Sequence, residues 1–455
     1  MTAKRTFGLV LIAAIIGLAL YFSSELPTPL TAPPAQLAAN KAGSAFQHAS
    51  TPAAPATSAR RSGVPGANGT EGGHVAHGLP DAALCDHIVM IANRFESVQQ
   101  KTAALQQAAS TAKLQLSQIL KQITQNGTPL DKAAAHYFLA HLNKHAFPND
   151  DDEKNPLCPD KPGCKPAVIE TEANPVYQNV NEIAKLAVGS SDPDVYALAF
   201  MGCHSEEFTK NGFCSQISAA QWVHRDPDNG TALLYLIGEI GKMPKNTPKA
   251  VLDDALYRFS QAKKFDTRLS TLASFQRREL AKLDDMMQQF EFMQAGQSAY
   301  TYATLPTYQP LLGSCRPKDL GDPNRRQVCD ASAHRLLNDD GMLISNGIGR
   351  ALARKLGWPE EQMKSIDDDF HAMMEVLRLA DPEITSAPDK KEDVAGVCLA
   401  SLKSTRQMEK SMALGEVALA KQLLAQQPLS RAELAANYRA RNKPSPPLAA
   451  SSPAK

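Results

Sequence analysis

The chain lacks the local signatures that most often reveal an enzyme. It contains no G-x-S-x-G nucleophile elbow, no Walker-type phosphate loop and no C-x-x-C pair. These are common marks of hydrolases, nucleotide-binding proteins and zinc sites. The formal net charge is only +1, so nothing attracts the chain generally to nucleic acid. The sequence therefore identifies no catalytic residue, metal site or cofactor, and it predicts no nucleic-acid partner.

Strand patterns are also missing, and helical patterns take their place. Aromatic residues make up only 6% of the chain, and no run of alternating β-branched residues is long enough to predict a sheet. Between residues 81 and 440 the pattern is helical almost throughout. We predict an all-α fold of helical hairpins, stacked as a bundle or short solenoid. Its clearest helix starts pair a capping residue with proline or form a capping box, at Thr128-Pro129, Asn174-Pro175, Asp192-Pro193, Asp226-Pro227, Thr247-Pro248 and Ser430.

An uncharged apolar run occupies residues 7–22 and follows Lys4 and Arg5. It is slightly shorter than the ~17–25 residues usual for a membrane-spanning helix. The run ends in Tyr21 and Phe22, which suit a membrane interface and are too bulky for the small-x-small site of a cleaved signal. We predict a single-pass anchor in a cell inner membrane, with the bulk of the chain in the periplasm. A cleaved signal is the alternative.

The composition divides the rest of the chain. Residues 23–80 are rich in proline, alanine and glycine and bury too little apolar surface to fold. As a random coil such a linker spans on the order of 40 Å. The helical region is long enough for two subdomains, and turn residues with a cysteine loop suggest a break near 298–330. The predicted organisation is an anchor segment 1–22, a disordered linker 23–80, a helical domain 81–310, a C-terminal helical subdomain 311–440 and a disordered tail 441–455.

The chain has eight cysteines, and an even number behind an export signal indicates disulfide bonds. Free buried thiols are the alternative. Eight cysteines permit 105 pairings, but short spacings favour three small loops, which leaves the first and last cysteines to join the two parts of the helical region. Each native bond is worth about 2–4 kcal/mol. The expected pairs are Cys85–Cys398, Cys158–Cys164, Cys203–Cys214 and Cys315–Cys329.

The first helical stretch carries a seam of mostly apolar residues at heptad spacing. Such a seam packs against one long partner helix. We expect an antiparallel partner within the chain, in residues 261–297, and a homodimeric coiled coil is the alternative. Small residues within the seam weaken a free-standing coiled coil. The seam consists of Ile91, Phe95, Val98, Thr102, Leu105, Ala109, Ala112, Leu116, Ile119 and Ile123.

Two Asp-Pro segments, at Asp192 and Asp226, begin 34 residues apart, and a shared start at a fixed period is typical of helical-hairpin repeats. The further residues of the pattern are Ala197, Met201, Gly202, Asn211, Gly212, Ala219, Ala220, Trp222, Ala255, Phe259 and Ala262. Over residues 190–265, under a fifth of the chain, this pattern resembles the tetratricopeptide repeat and its Sel1-like relatives. The resemblance implies a surface of stacked hairpins that binds peptides or proteins.

A few polar clusters are candidates for chemistry. His141 and His145 lie one helical turn apart, a spacing compatible with metal ligands, but the glutamate of a zinc protease motif is missing between them. His371 and Glu375 also lie one turn apart. Cys203 and His204 are adjacent in a helix and therefore face different ways. We interpret these residues, and His136 beside the first pair, as structural.

Taken together, the compartment and the repeat pattern favour a binding module over an enzyme. We predict a membrane-anchored, exported helical protein that captures an envelope protein or peptide, with the linker setting its effective concentration. The alternative is a cell-envelope hydrolase with a histidine–carboxylate site assembled by the fold from His136, His141, His371 or Glu375. A structural homodimer built on the seam is a third hypothesis. The expected partner-binding residues are Tyr196, Trp222, His224 and Tyr235, and a core position in the repeat hairpin is the alternative for Trp222.

Overall fold

The computed structural model describes residues 81–144, 174–204, 212–244, 248–301, 305–380 and 394–442, all within one compact unit. This part of the chain is all-helical, which confirms the predicted all-α class, and it contains no strand. None of its helices combines the length and apolar character that a membrane crossing needs. Several predictions lie outside the described residues: the anchor, the linker, the Cys158–Cys164 pair, His145, Thr247 and the tail beyond residue 442.

The helices follow one another with short connections along most of the described chain. Two 3₁₀ turns interrupt them, Gly212–Gln216 and Pro317–Asp319. The first ten helices are α1 Asp81–Ala92, α2 Val98–Asn126, α3 Pro129–Lys144, α4 Pro175–Val188, α5 Pro193–Cys203, α6 Ala219–Arg225, α7 Gly230–Lys242, α8 Lys249–Ser260, α9 Leu269–Leu280 and α10 Met286–Thr301. The others are α11 Gln309–Ser314, α12 Pro323–Leu337, α13 Leu343–Leu356, α14 Glu360–Ala380, α15 Val394–Leu414, α16 Glu416–Gln426 and α17 Arg431–Arg441.

Local capping explains where several of these helices begin. Asn174 and Asp192 accept hydrogen bonds from the backbone N–H two residues ahead, and Ser430 completes the predicted capping box. Thr128 Oγ1 accepts from Asp131 N at 3.2 Å. Each bond satisfies a donor that a helix N-terminus leaves open. These four predicted helix starts are confirmed.

The predicted helix start at Asp226 is wrong. Asp226 is the C-cap of α6, and α7 begins at Gly230 behind the N-cap Asn229. The Asp226 carboxylate pairs instead with Lys264 Nζ and with Arg268 Nη2, each at 2.7 Å. The Asp-Pro pattern predicts that the Asp226 carboxylate caps a helix, but these tertiary ion pairs bind it instead. The two Asp-Pro segments therefore have different structural roles, and the resemblance to tetratricopeptide repeats stays a prediction.

The main core contains side chains from α2 through to α15. The ring of Phe138 lies 5.6 Å from that of Phe275 and 4.9 Å from that of Phe292. Aromatic side chains of this kind each bury on the order of 150–250 Å². Leu336 and Leu352 belong to the same cluster. Side chains on both sides of the boundary predicted at residue 310 therefore contribute to one core.

A second cluster joins the first helix to α15. It contains buried residues of α1, α2, α10 and α15, among them Leu84, Met293 and Leu402. Cys85 in α1 is bonded to Cys398 in α15, with the sulfurs 2.11 Å apart. Cys203–Cys214 and Cys315–Cys329 are bonded as well. The structure thus places three of the four expected cysteine pairs at disulfide distance, and α15 closes back onto the first helix.

The heptad seam runs over two helices rather than one. α1 ends at Ala92, and α2 begins after Ser97, which forms a capping box with Gln100. This Ser-x-x-Gln pattern was the sequence signal for the break. Farther along α2, Ala112 and Leu116 are buried, and α2 packs against α3 and α10. Because α10 lies largely within the expected range 261–297, this half of the seam has the predicted partner within the chain.

Candidate functional site

Three of the four residues predicted to contact a partner lie in the core. Tyr196 and Trp222 have no exposed surface and Tyr235 is 5% exposed, whereas His224 is exposed. The rings of Trp222 and Tyr235 lie 5.8 Å apart, and Phe200 lies 5.1 Å and 4.8 Å from them. The rings pack together between α5, α6 and α7, so a partner does not reach them in this conformation. Their burial favours a role in folding.

The candidate histidines have separate structural partners. His136 Nδ1 lies 2.9 Å from Asn179 Oδ1, and burial lowers the pKa of this imidazole. His141 is buried, with its Nδ1 3.3 Å from Ser298 Oγ. His371 lies in α14, where its ring packs on a side chain of α17. The described structure therefore does not bring these histidines together into one site.

Metal ligation has no support in this part of the chain either. Among the described residues, no group of three or more histidine, cysteine, aspartate or glutamate side chains is placed to hold a metal ion. Cys203 is bonded to Cys214. The adjacent Cys203 and His204 therefore do not form a thiol–imidazole pair.

An open groove lies between α3 and α9, with a cavity volume of about 260 Å³. One wall is the first turns of α3, which begins at the Thr128 cap, and the other is the exposed side of α9. The groove combines apolar surface, three hydroxyl groups and one ion pair. Its lining residues are Leu130, Asp131, Ala134, Ser270, Thr271, Ser274, Phe275 and Arg278.

The ion pair joins the two walls of the groove. Arg278 Nη2 donates to Asp131 Oδ1 at 2.5 Å, and Arg278 Nε donates to Glu279 Oε1 at 2.9 Å. Burial alone raises the pKa of Asp131, but hydrogen bonds from Thr128 and Arg278 outweigh it and hold the pKa below its usual value. The Arg278 guanidinium also lies 5.3 Å from the centre of the Phe275 ring. Its side chain remains half-exposed, so it is accessible to a partner.

Arg268 fixes the start of α9 and hence that wall of the groove. It adopts a left-handed backbone conformation, with φ of 63°, which costs roughly 1–2 kcal/mol for a residue other than glycine. Its guanidinium pairs with Asp194 at 3.0 Å, Asp226 at 2.7 Å and Asp266 at 3.0 Å. Thr271 of the groove lies 3.5 Å from the same Asp194 carboxylate. The ion pairs offset the backbone strain and anchor α9 against α5 and the α6–α7 connection.

The sequence offered little that would locate this groove. Its two walls lie more than a hundred residues apart in the chain, and none of its lining residues belongs to a recognised motif. The Thr128 cap was the one predicted feature beside it. The hydroxyls and the ion pair supply hydrogen-bond donors and acceptors next to apolar surface, which suits recognition of a peptide side chain.

Comparisons with known proteins assign neither a family to this chain nor a function to the groove. Searches of protein-family models, of curated proteins and of solved structures found no match for this chain.

Proposed function

We propose that this protein is a membrane-tethered, exported helical module that binds a protein or peptide partner at the groove between α3 and α9. The groove is the observation that carries the proposal. Its volume of about 260 Å³ is below the ~300–1,000 Å³ typical of small-molecule sites. One or two side chains of a larger partner fit that space better than a whole cofactor.

The chemistry of the groove narrows the kind of partner. Leu130 is only partly buried and offers apolar contact beside the buried Ala134 and Phe275, and Ser270 and Ser274 offer hydroxyl groups. Arg278 already shares its guanidinium between two carboxylates and has further N–H groups that are half-exposed. A partner segment with an apolar side chain next to a carboxylate or carbonyl oxygen matches this arrangement.

The features outside the described residues support export and tethering. The uncharged run 7–22 follows Lys4 and Arg5, and the Pro/Ala/Gly-rich stretch 23–80 separates it from α1. Disulfide bonds persist mainly in oxidising compartments, and three cysteine pairs of the described part are at bonding distance. A tether to the membrane raises the effective concentration of the groove near it.

The proposal is tested by filling the groove. Ser274 is exposed at the groove, so Ser274→Trp places an indole where the partner side chain would lie. Ser110 is exposed on α2, away from the groove, and Ser110→Trp is the matched control. Each variant is crosslinked in intact cells, purified through a tag and analysed by mass spectrometry.

We expect the wild-type protein and Ser110→Trp to recover the same stoichiometric envelope protein, and Ser274→Trp to lose at least nine-tenths of it. Circular dichroism and thermal melting confirm that both variants fold. Equal recovery by the two variants would place binding elsewhere. Recovery of the protein alone in all cases would contradict the binding function.

A further inference from the structure

The last described helix, α17, is held to the rest of the molecule by little apolar contact. Only Leu434 and Ala435 are fully buried in it, and they pack with Ala372 of α14 and the partly buried Leu424 of α16. The α17 helix is 11 residues long, and helices of that length are marginal on their own in water. Its position therefore depends on what it contacts on α14.

Three pairs of opposite charges join α17 to α14. Arg431 Nη1 lies 3.1 Å from Asp369 Oδ1. Arg439 pairs with Asp368, and Arg441 pairs with the buried carboxylate of Glu375. The three arginines remain 66%, 46% and 38% exposed, and exposed ion pairs contribute little net stability. Solvent and competing cations therefore have access to the Arg431–Asp369 and Arg439–Asp368 pairs, whereas the Glu375 carboxylate is buried.

An aromatic contact completes the interface. The rings of His371 in α14 and Tyr438 in α17 stack with centroids 4.9 Å apart and planes at 16°. The Nδ1 atom of His371 is buried and has no hydrogen-bond partner among the described residues. A buried polar atom left unpaired costs free energy, which offsets part of the stability that the stacked rings give this contact.

The Glu375 carboxylate also has an ion-pair partner outside α17. Arg378 lies on α14 itself and donates to Glu375 Oε1 at 2.9 Å. Asp367, next to the interface, is held by Arg350 and Arg354 of α13. Release of α17 therefore leaves an intact α14 whose Asp368, Asp369 and Glu375 face outward beside the small Ala372.

We propose that this acidic face of α14 is a docking surface for an arginine-bearing amphipathic helix of a partner protein, and that α17 occupies it within the chain until the partner displaces it. The seated α17 shows what the surface accepts. Its sequence has a Leu-Ala pair at 434–435, a tyrosine at 438, and arginines at 431, 439 and 441. A partner helix with the same spacing of apolar, aromatic and basic side chains satisfies the same contacts. This surface is separate from the α3–α9 groove, and the proposal does not rest on the function assigned there.

The test uses a synthetic peptide of residues 430–442 as the probe and the full-length chain as the receptor. Arg439→Gln with Arg441→Gln weakens α17 in the receptor and leaves α14 unchanged. An occupant within the chain lowers the apparent affinity for a competitor by the fraction of time that the surface is open. We expect the peptide to bind this variant at least tenfold more tightly than it binds the wild-type chain.

The matched control is the same peptide with glutamine at the positions of Arg431, Arg439 and Arg441. We expect it to bind the variant at least tenfold more weakly than the arginine peptide. Circular dichroism and thermal melting establish that the receptor is folded, and Arg431→Gln replaces the double variant if that variant unfolds.

Three results would overturn the proposal. No binding of the arginine peptide to a folded variant would show that the α14 face is not a docking surface. Equal binding to the wild-type chain and the variant, or equal binding of the two peptides, would place the peptide at another site. A concentration-dependent doubling of mass by the variant without peptide would assign the surface to α17 of a second copy instead of a partner protein.

Discussion

Removing the disulfide between Cys85 and Cys398 should destabilise the protein far more than removing the one between Cys203 and Cys214. The first closes a sequence separation of 313 residues and the second a separation of 11. A cross-link stabilises mainly by lowering the entropy of the unfolded chain, and the effect grows with the logarithm of loop length. At 25 °C this relation gives about 5.7 kcal/mol for the long loop and about 2.8 kcal/mol for the short one.

The two pairs form a matched comparison. All four cysteines are buried, with exposed fractions of 1%, 7%, 2% and 1%, so replacing each pair with alanine deletes a similar amount of packing. The difference in unfolding free energy between the two double variants then reflects the difference in loop length, and we expect it to be about 3 kcal/mol. After the loss of the long cross-link, the apolar cluster and the Asp81–Arg406 ion pair still attach α1.

The assay is guanidinium unfolding of the oxidised protein followed by far-ultraviolet circular dichroism. Cys85→Ala/Cys398→Ala is compared with Cys203→Ala/Cys214→Ala, and peptide mapping without reduction verifies the remaining disulfides. We expect both midpoints to fall, the first much further. Equal losses in the two variants would refute the argument from loop length. Free thiols at Cys85 and Cys398 in the wild-type protein would refute the pairing itself.

Three further predictions each concern a single residue. Trp222→Ala should lower the free energy of unfolding by about 3–5 kcal/mol, because it empties a fully buried site. In chemical denaturation the exposed control His224→Ala should stay within about 0.5 kcal/mol of the wild-type protein. A small loss of stability in Trp222→Ala would contradict the core assignment. Burial, with Arg350 and Arg439 nearby, lowers the pKa of His371 to about 4, so the docked state favours the neutral imidazole and the α17 contact should weaken as the pH falls from 6.5 towards 4. Between pH 7 and pH 5 the melting temperature of the wild-type protein should therefore fall further than that of His371→Gln. Parallel melting curves for the two proteins would count against this prediction. Burial raises the pKa of Asp339 to about 6, so the protonated carboxyl favours the folded state in acid, and this contribution to stability is lost as the pH rises through about 6. Asp339→Asn should remove this part of the pH dependence of the melting temperature. An unchanged pH profile would show that Asp339 does not titrate in this range.

Much of the local structure was predictable because its causes are local. The caps at Asn174, Asp192 and Ser430 form bonds within three residues of the capping side chain, and no distant part of the chain competes for them. Asp226 carries the same Asp-Pro signal, but Lys264 and Arg268 take its carboxylate. A capping signal therefore fails where a tertiary ion pair offers the side chain a stronger partner.

The candidate site was much less predictable. Tyr196, Trp222 and Tyr235 were expected at the binding surface of the stacked hairpins, yet they are buried, which for Trp222 matches the alternative of a core position. A pattern of apolar residues shows that a helix has a buried face, but it does not show which neighbour covers that face. The α3–α9 groove depends on the position of Arg268, whose left-handed backbone carries no sequence signal by itself.

The sequence by itself determined the helical class, four of the helix starts, and a spacing of cysteines that points to short loops and one long closure. It also carries the apolar run 7–22 and the linker 23–80, on which the predicted compartment rests. Only the tertiary structure decided that α15 returns to α1, that α3 and α9 form a groove, and that α17 lies on the acidic face of α14. The physical reason is range: propensity, capping and periodicity act within a few residues, whereas the meeting of distant helices depends on the packing of the whole core.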